Sequence, residues 1–429
     1  MSDISLDFTI DRLGDCRIPS PLTEVRFTKD DERILYHSRL EEIRPTLAAG
    51  QLPPAMEAGG PRETLFFDSS QITCGLVTCG GLCPGLNDVI RSVVMNLHHQ
   101  YGVRNILGFQ FGYEGLVARL GHEPLRLTPE NVSRIHEAGG SLLGSSRGPQ
   151  DPEEMVQNLI DRKVSILFTV GGDGTLRGAQ KIAQAASRRG VPLSVIGIPK
   201  TIDNDVSFVQ KTFGFETAIG EARRAIYAAN TEAEAARNGI GLVKLMGRDS
   251  GFVSAFSVLV DSQVNFCLIP EVPFTLERFL AELKKRLERR GHAVVVVAEG
   301  AGQDLMATSG ATDASGNVKY GDIGIFLRDA INRHFKEINF PISLKYIDPS
   351  YIIRSVPANA HDSAFCLLLG QHAVHAGMSG RTNMVVGFWN HQFTHVPISL
   401  AVSARKKIDP HGTLWTGVLS STGQPAKML

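Results

Sequence analysis

The run from Gly197 to Asp205, Gly-Ile-Pro-Lys-Thr-Ile-Asp-Asn-Asp, sets two carboxylates, Asp203 and Asp205, two residues apart between Thr201 and Asn204. An apolar run, Val191 to Ile198, precedes it and reads as a buried strand. Residues i and i+2 of an extended segment point the same way. If the chain stays extended past the strand end, both acids face one cleft, and strand ends of open α/β sheets are where ligands bind. Two acids in apolar surroundings are costly unless a proton, a metal or a cation compensates them. An Asx-rich turn is the bland alternative.

Other segments carry phosphate-type chemistry. Thr78-Cys-Gly-Gly-Leu-Cys-Pro-Gly-Leu-Asn87 follows a strand and precedes a helix in which Val89, Val93 and Leu97 recur at helical spacing. Glycines at such a turn let backbone N–H groups approach a phosphate, which a helix N-terminus also favours. Val170-Gly-Gly-Asp-Gly-Thr175 repeats the arrangement ahead of a helix over 176–189. Asp173 there suits Mg²⁺, which takes one or two carboxylates plus phosphate oxygens; a capping Asp explains it as well. Arg147 lies among small residues in Gly139 to Gly148, either as a phosphate partner or as a solvated arginine. Met246-Gly-Arg-Asp-Ser-Gly251 and Lys345 to Arg354 put basic residues near strand termini or turns, suited to an anionic sugar. Glu299 ends the apolar run Val294 to Ala298, where a carboxylate can accept from hydroxyls or simply cap a turn.

The elements that must position these residues alternate. Strand-type runs at 75–78, 106–111, 165–170, 194–198, 241–246, 265–269 and 293–298 are interleaved with helical patterns, which predicts parallel sheets covered on both faces. Two α/β domains are expected. Residues 1–70 read as an N-terminal extension with a short helix and a loop, and Ala301 to Gly321 as a surface loop. The chain has 429 residues, is 43% hydrophobic, and has 44 basic against 44 acidic residues. That balance argues against a nucleic-acid binder working through bulk positive charge. No apolar run reaches membrane-spanning length, and Met1 to Ile10 shows no secretion leader. The six cysteines lack zinc-ligand spacing and read as reduced, with a cytoplasmic location.

Taken in order, Gly80-Gly-Leu-Cys-Pro-Gly85, Gly171 to Thr175, Pro199 to Asp205, Met246-Gly-Arg248, Pro270-Glu-Val-Pro-Phe274, Glu299 and Tyr351-Ile-Ile-Arg354 resemble the phosphofructokinase family over about residues 72–400. The resemblance is to its longer, plant-like ATP-dependent branch. It implies two Rossmann-like three-layer domains with mainly parallel sheets and an active site in the interdomain cleft. A nucleotide domain would comprise 71–214 with about 355–400, and a sugar-phosphate domain 215–354 with about 401–429.

The resemblance also implies roles. Asp203 would be the base that takes the proton from the 1-hydroxyl of fructose 6-phosphate, with ATP as the other substrate. Asp205 would assist with Mg²⁺ and charge placement, and Thr201 and Arg248 join these acids as catalytic positions. Asp173 would bind the nucleotide's Mg²⁺. Gly81, Arg147, Gly172, Gly174, Thr175 and Lys200 would line the phosphate site. Thr201, Asp203, Met246, Gly247, Arg248, Glu299, Tyr351 and Arg354 would hold the sugar phosphate. Lys345 would reach a neighbouring copy's site, which implies a homo-oligomer, dimer or tetramer. Allosteric control is implied without an identified effector.

Departures from the family pattern bear on the donor. Leu82 stands where short bacterial members have Asp, and Gly239 where they have a subunit-bridging arginine. Lys200 is a feature of pyrophosphate-using relatives, whereas Gly174 lacks the carboxylate such relatives set against an ATP α-phosphate. The missing obstruction favours ATP over pyrophosphate. A non-catalytic regulatory subunit of the same fold would be expected to lose the acid pair, which is present here. A lipid or NAD kinase rests on Gly171 to Thr175 alone.

Overall fold

The computed structural model describes residues 6–306 and 319–429. Most of the expected surface loop, 307–318, and the first five residues of the N-terminal stretch lie outside the described residues. The chain forms two compact units. The first comprises Met1–Thr201, Val206–Gly214 and Val356–Ala404; the second comprises Ile202–Asp205, Phe215–Ser355 and Arg405–Leu429.

The first unit is built on one sheet. Four neighbouring strands, Met384–Trp389, Ser194–Pro199, Val164–Gly171 and Thr73–Thr78, run parallel, and Asn105–Phe109 continues them. Antiparallel strands close both edges: Leu125–Arg126 on one side, and Gln392–Pro397, Ala55–Ala58 and Arg33–Leu35 on the other. Alternation along Val164–Gly171 covers both faces. Leu167 shares a buried cluster with Leu176, Ala179 and Ile182 of the helix Asp173–Arg188. Ile166 and Phe168 point the other way, toward the helix Ala360–Met378. That helix comes close because it presents Gly377, where a Cβ would lie 2.8 Å from Ile166.

The second unit is smaller and all parallel, in the order Phe266–Leu268, His292–Ala298, Gly239–Leu245, Ser343–Ile347. Ala293, Val295 and Val297 meet Phe279, Leu283 and Leu287 of the helix Leu276–Arg290, together with Leu327, Ile331 and Phe335 of Ile323–Glu337. The helices Phe215–Glu234 and Phe252–Leu259 also pack on His292–Ala298. Continuous burial along Ala293–Ala298 fits a strand covered twice.

The segment before residue 70 does more than its loop-like composition announces. Besides a helix, Leu40–Ala48, it supplies two strands to the first unit's sheet and pairs Asp11–Arg12 with Arg381–Thr382. Charge fastens it. Glu57, almost fully buried, accepts from Arg381 Nε at 2.8 Å, Arg12 at 3.0 Å and Arg62 at 3.3 Å, and lies 2.9 Å from His395 Nδ1. Asp30 takes the same three arginines at 2.6–3.0 Å. Burial alone would raise the Glu57 carboxyl, but His395 and Arg381 outweigh it and hold it far below the usual range.

Glu57→Gln takes the buried acid from Arg62 and Arg381, leaving them the more exposed Asp30, and should destabilise the chain by up to about 3–5 kcal/mol. Because the folded-state value is depressed, this contribution is complete above the unfolded carboxyl's titration near pH 4.5. It is lost as pH falls toward the folded value, so the gap between wild type and variant in urea melts should narrow below about pH 4.5. A gap that does not change with pH counts against the assignment.

Candidate active site

In the first unit, Thr73–Thr78, Val164–Gly171 and Ser194–Pro199 are neighbours, and their C-terminal ends carry three loops. After Thr78 the chain turns at Gly80 (φ +84) and enters the helix Leu86–Met95 through Gly85 (φ +98). After Gly171 it enters Asp173–Arg188 directly, with Gly172 as the N-cap. The helix therefore begins earlier than the apolar pattern from Leu176 predicts, and Asp173 occupies its first turn, half-buried.

The loops are tied to each other. Cys79 N–H donates to Val170 carbonyl at 2.9 Å, and Lys200 N–H to Gly171 carbonyl at 2.9 Å. The buried Lys200 ammonium donates to Gly81 carbonyl at 2.6 Å. The Arg147 loop joins them: Gly80 N–H donates to Ser146 carbonyl at 3.0 Å, and Ser145 Oγ to Gly80 carbonyl at 2.5 Å. Thus Gly81, Gly172, Asp173, Thr175 and Lys200 lie on one set of interlocked loops, with the exposed Arg147 on a loop bonded to it. Gly174 is exposed, and a Cβ placed there meets nothing within 4 Å. Thr201 ends the segment, its carbonyl accepting from Thr212 Oγ1 at 2.7 Å.

The acid pair belongs to the second unit. The strand stops at Pro199, residues 202–203 form a turn, and Asn204 adopts φ +52. The extended-chain rationale for the pair is therefore corrected: a turn with a left-handed residue, not a pleat, brings the acids together. Asparagine tolerates that conformation because its short polar side chain bonds locally. Asp205 is buried and Asp203 half-buried. Burial raises the Asp203 carboxyl well above the usual range; Asp205, Glu299 and Asp249 add to the rise and Arg405 opposes it. Asp205 is also raised by burial, against Arg405.

Two turns beside the pair interlock. Glu299 N–H donates to Leu245 carbonyl at 2.9 Å, and Gly300 N–H to Gly247 carbonyl at 3.0 Å. Glu271 accepts from Gly251 N–H at 3.0 Å and from Ile408 N–H at 3.0 Å. Burial lifts the Glu299 carboxyl, and Arg248, Lys244 and Arg354 pull it back. Arg248 stacks over Tyr320 at 4.3 Å, and Arg354 over the exposed Tyr351 at 5.0 Å. So Asp203, Asp205, Glu299, Arg248 and Arg354 share one electrostatic neighbourhood, with Met246 and Gly247 in the turn that presents Arg248.

Lys345 is placed differently from the terminus or turn expected of it. It is the exposed third residue of the edge strand Ser343–Ile347, paired with Gly241. Sequence reasoning gave no role to Lys244, Asp249, Tyr320, Arg405 or Lys406. The basic triplet Arg405-Lys-Lys407 was the visible signal for the last two.

A family model described as phosphofructokinase matches residues 73–377. An ATP-dependent 6-phosphofructokinase of Borreliella burgdorferi is 46% identical over 99% of this chain and 98% of its own. That of Trypanosoma brucei brucei is 44% identical over 97% and 87%. A chloroplastic ATP-dependent 6-phosphofructokinase 5 of Arabidopsis thaliana is 47% identical over 85% and 68%. The crystal structure of a pyrophosphate-dependent phosphofructokinase from Marinobacter aquaeolei superposes with a TM-score of 0.67 over 82% of this chain and 91% of that one, at 20% identity, a likeness of fold.

Gly247 is held at φ +124, and a Cβ there would lie 2.5 Å from Ser250 carbonyl. Gly247→Ala should therefore cost about 1–3 kcal/mol of stability, read as a lowered thermal midpoint. An unchanged midpoint argues against this turn.

Proposed function

We propose, for a chain that belongs to the phosphofructokinase family and carries a raised carboxyl at Asp203, that Asp203 is the base of an ATP-dependent 6-phosphofructokinase. The reaction is in-line transfer of the ATP γ-phosphoryl to the 1-hydroxyl of fructose 6-phosphate, the first carbon's oxygen forming the new P–O bond as ADP leaves. Asp203 takes the hydroxyl proton as that bond forms. Positioning and cationic charge supply most of the catalysis in such transfers.

Backbone N–H groups of the loops at Gly81 and Gly172 to Thr175, with Lys200 and Arg147, would hold the nucleotide phosphates. Arg248, Arg354, Glu299, Met246, Gly247, Tyr351 and Thr201 would hold the sugar phosphate. Among the described residues no group of three or more His, Cys, Asp or Glu is arranged to hold a metal unaided. A Mg²⁺ carried on ATP needs no such group: one or two carboxylates with phosphate oxygens and water suffice. Asp173, half-buried at a helix start, fits that need, and the ion would supply positive charge against the phosphate oxygens.

The donor reading is supported by the long relatives named ATP-dependent and by Gly174, whose missing side chain leaves open space. Lys200 is compatible with ATP as a phosphate partner. No helix among the described residues is long and apolar enough to cross a membrane, and we place the enzyme in the cytoplasm. A homo-oligomer in which the exposed Lys345 serves a neighbouring copy belongs to the same reading.

Purified protein in a coupled assay should use ATP; activity with pyrophosphate and none with ATP overturns the donor. Gly174→Asp should abolish most ATP use, and retained ATP kinetics would remove this position from the argument. Asp203→Ser should lower kcat by about 10²–10⁴-fold, as for loss of a general base, while the melting temperature holds. Because the Asp203 carboxyl is raised and a base must be ionised, the acid limb of the kcat profile should lie above the ordinary aspartate range near 3.8. A limb at or below that range assigns the proton to another group.

A further inference from the structure

The chain re-enters the second unit at Arg405, and its first three residues there are Arg405-Lys-Lys407. The Arg405 guanidinium donates to the Asp205 carboxylate at 3.3 Å and lies 3.9 Å from the Asp249 carboxylate. Lys406 N–H donates to Asp205 carbonyl at 2.8 Å, and the Lys407 ammonium donates to Asp249 carbonyl. Ile408 N–H then donates to Glu271, which also accepts from Gly251 N–H. Four successive residues thus fasten two separate segments: the turn that ends in Asp205, and the turn of residues 246–251 that presents Arg248.

The charge arrangement singles out Arg405 within this strap. Asp205, Glu299 and Asp249 act on Asp203 as like charges, Asp249 acts likewise on Asp205, and burial strengthens the repulsion. Arg405 acts against it on both members of the acid pair, and Lys406 joins it at Asp205. Its planar fork can serve two carboxylates at once, which a lysine's point charge does poorly. A displacement of about 1 Å in a reacting carboxylate is enough to cost a hundredfold in rate.

We infer that Arg405 is a positioning residue for phosphoryl transfer: it bridges Asp205 to Asp249 and so fixes the acid pair against the turn that carries Arg248. This rests on Asp203 acting as the base. The contacts through which it would act are those with the Asp205 and Asp249 carboxylates.

The test uses the full-length enzyme with ATP and fructose 6-phosphate. Arg405→Ala should lower kcat about 10- to 100-fold, while KM for each substrate stays within about threefold, because the interaction matters to the transition state more than to binding. Guanidinium at tens of millimolar should restore at least a tenfold part of the loss in Arg405→Ala, and sodium at equal ionic strength should not. Arg405→Lys should fall between the wild type and Ala in kcat. Wild-type kcat in Arg405→Ala overturns the inference, as does a loss that moves kcat and both KM values together without guanidinium rescue. If Arg405→Ala does not fold, Arg405→Lys decides: lowered kcat at unchanged KM supports the inference, and wild-type kinetics overturn it. Asp203→Ser separates the two readings. Its inactivity, unrescued by guanidinium, keeps the base assignment standing whatever Arg405 does; its activity defeats that assignment and this inference together.

Discussion

The repulsion that Asp205, Asp249 and Glu299 exert on the buried Asp203 is the constraint around which this part of the second unit is arranged. Four carboxylates in a partly dry neighbourhood are tolerable only with cations beside them, and the unit supplies these from distant points of the sequence: Lys244, Arg248, Arg354 and Arg405. The compensation is incomplete at Asp203, whose carboxyl stays well above its usual range. Incomplete compensation is what leaves a carboxylate with appetite for a proton, the property a base requires. The parallel sheet beneath serves this by ending its strands where the charged turns begin, Leu245 before Arg248 and Ala298 before Glu299.

The first unit solves the opposite problem. Its loops concentrate N–H groups and a buried ammonium, with Lys200 tied to Gly81 and the Arg147 loop laced to Gly80. Small residues are what make this lacing feasible: Gly80 and Gly85 turn with positive φ, and Gly171 leaves room for Thr175. One unit is therefore organised around positive potential and backbone donors, the other around carboxylates held by cations. On the function proposed, the first kind of surface would take phosphates and the second the alcohol.

Much of this was legible in the residues. The seven strand-type runs correspond to observed strands, shifted by one or two residues at their ends, because buried parallel strands leave long β-branched stretches. The glycine loops were legible for a related reason, since turns at positive φ select a particular residue. The hairpin Met384–Trp389 to Gln392–Pro397 went unread because Asn390-His391 supplies its two positive-φ positions without the glycine that would mark it. The strands near Arg33 and Met56 are short; they pair with each other, and the second joins the sheet through Thr394 and His395, hundreds of residues away. Arg405 escaped for that reason too: its meaning lies in Asp205 and Asp249, and no local spacing encodes them. Asp203 and Asp205 were singled out by an argument from extended geometry, which the turn at Asn204 replaces.

The sheet of the first unit has a consequence for how the polypeptide is made. Ser194–Pro199 pairs with Met384–Trp389, and Glu57 is neutralised by Arg381. On the ribosome, one side of a central apolar strand must therefore wait for a partner translated much later, after most of the second unit has emerged, and Glu57 has only its nearby arginines until Arg381 follows. An unpaired strand edge of that composition invites association with other nascent chains. Biogenesis of this enzyme thus depends on synthesis running through Met384–Trp389, and products truncated before it are expected to partition into aggregates instead of yielding a free first unit.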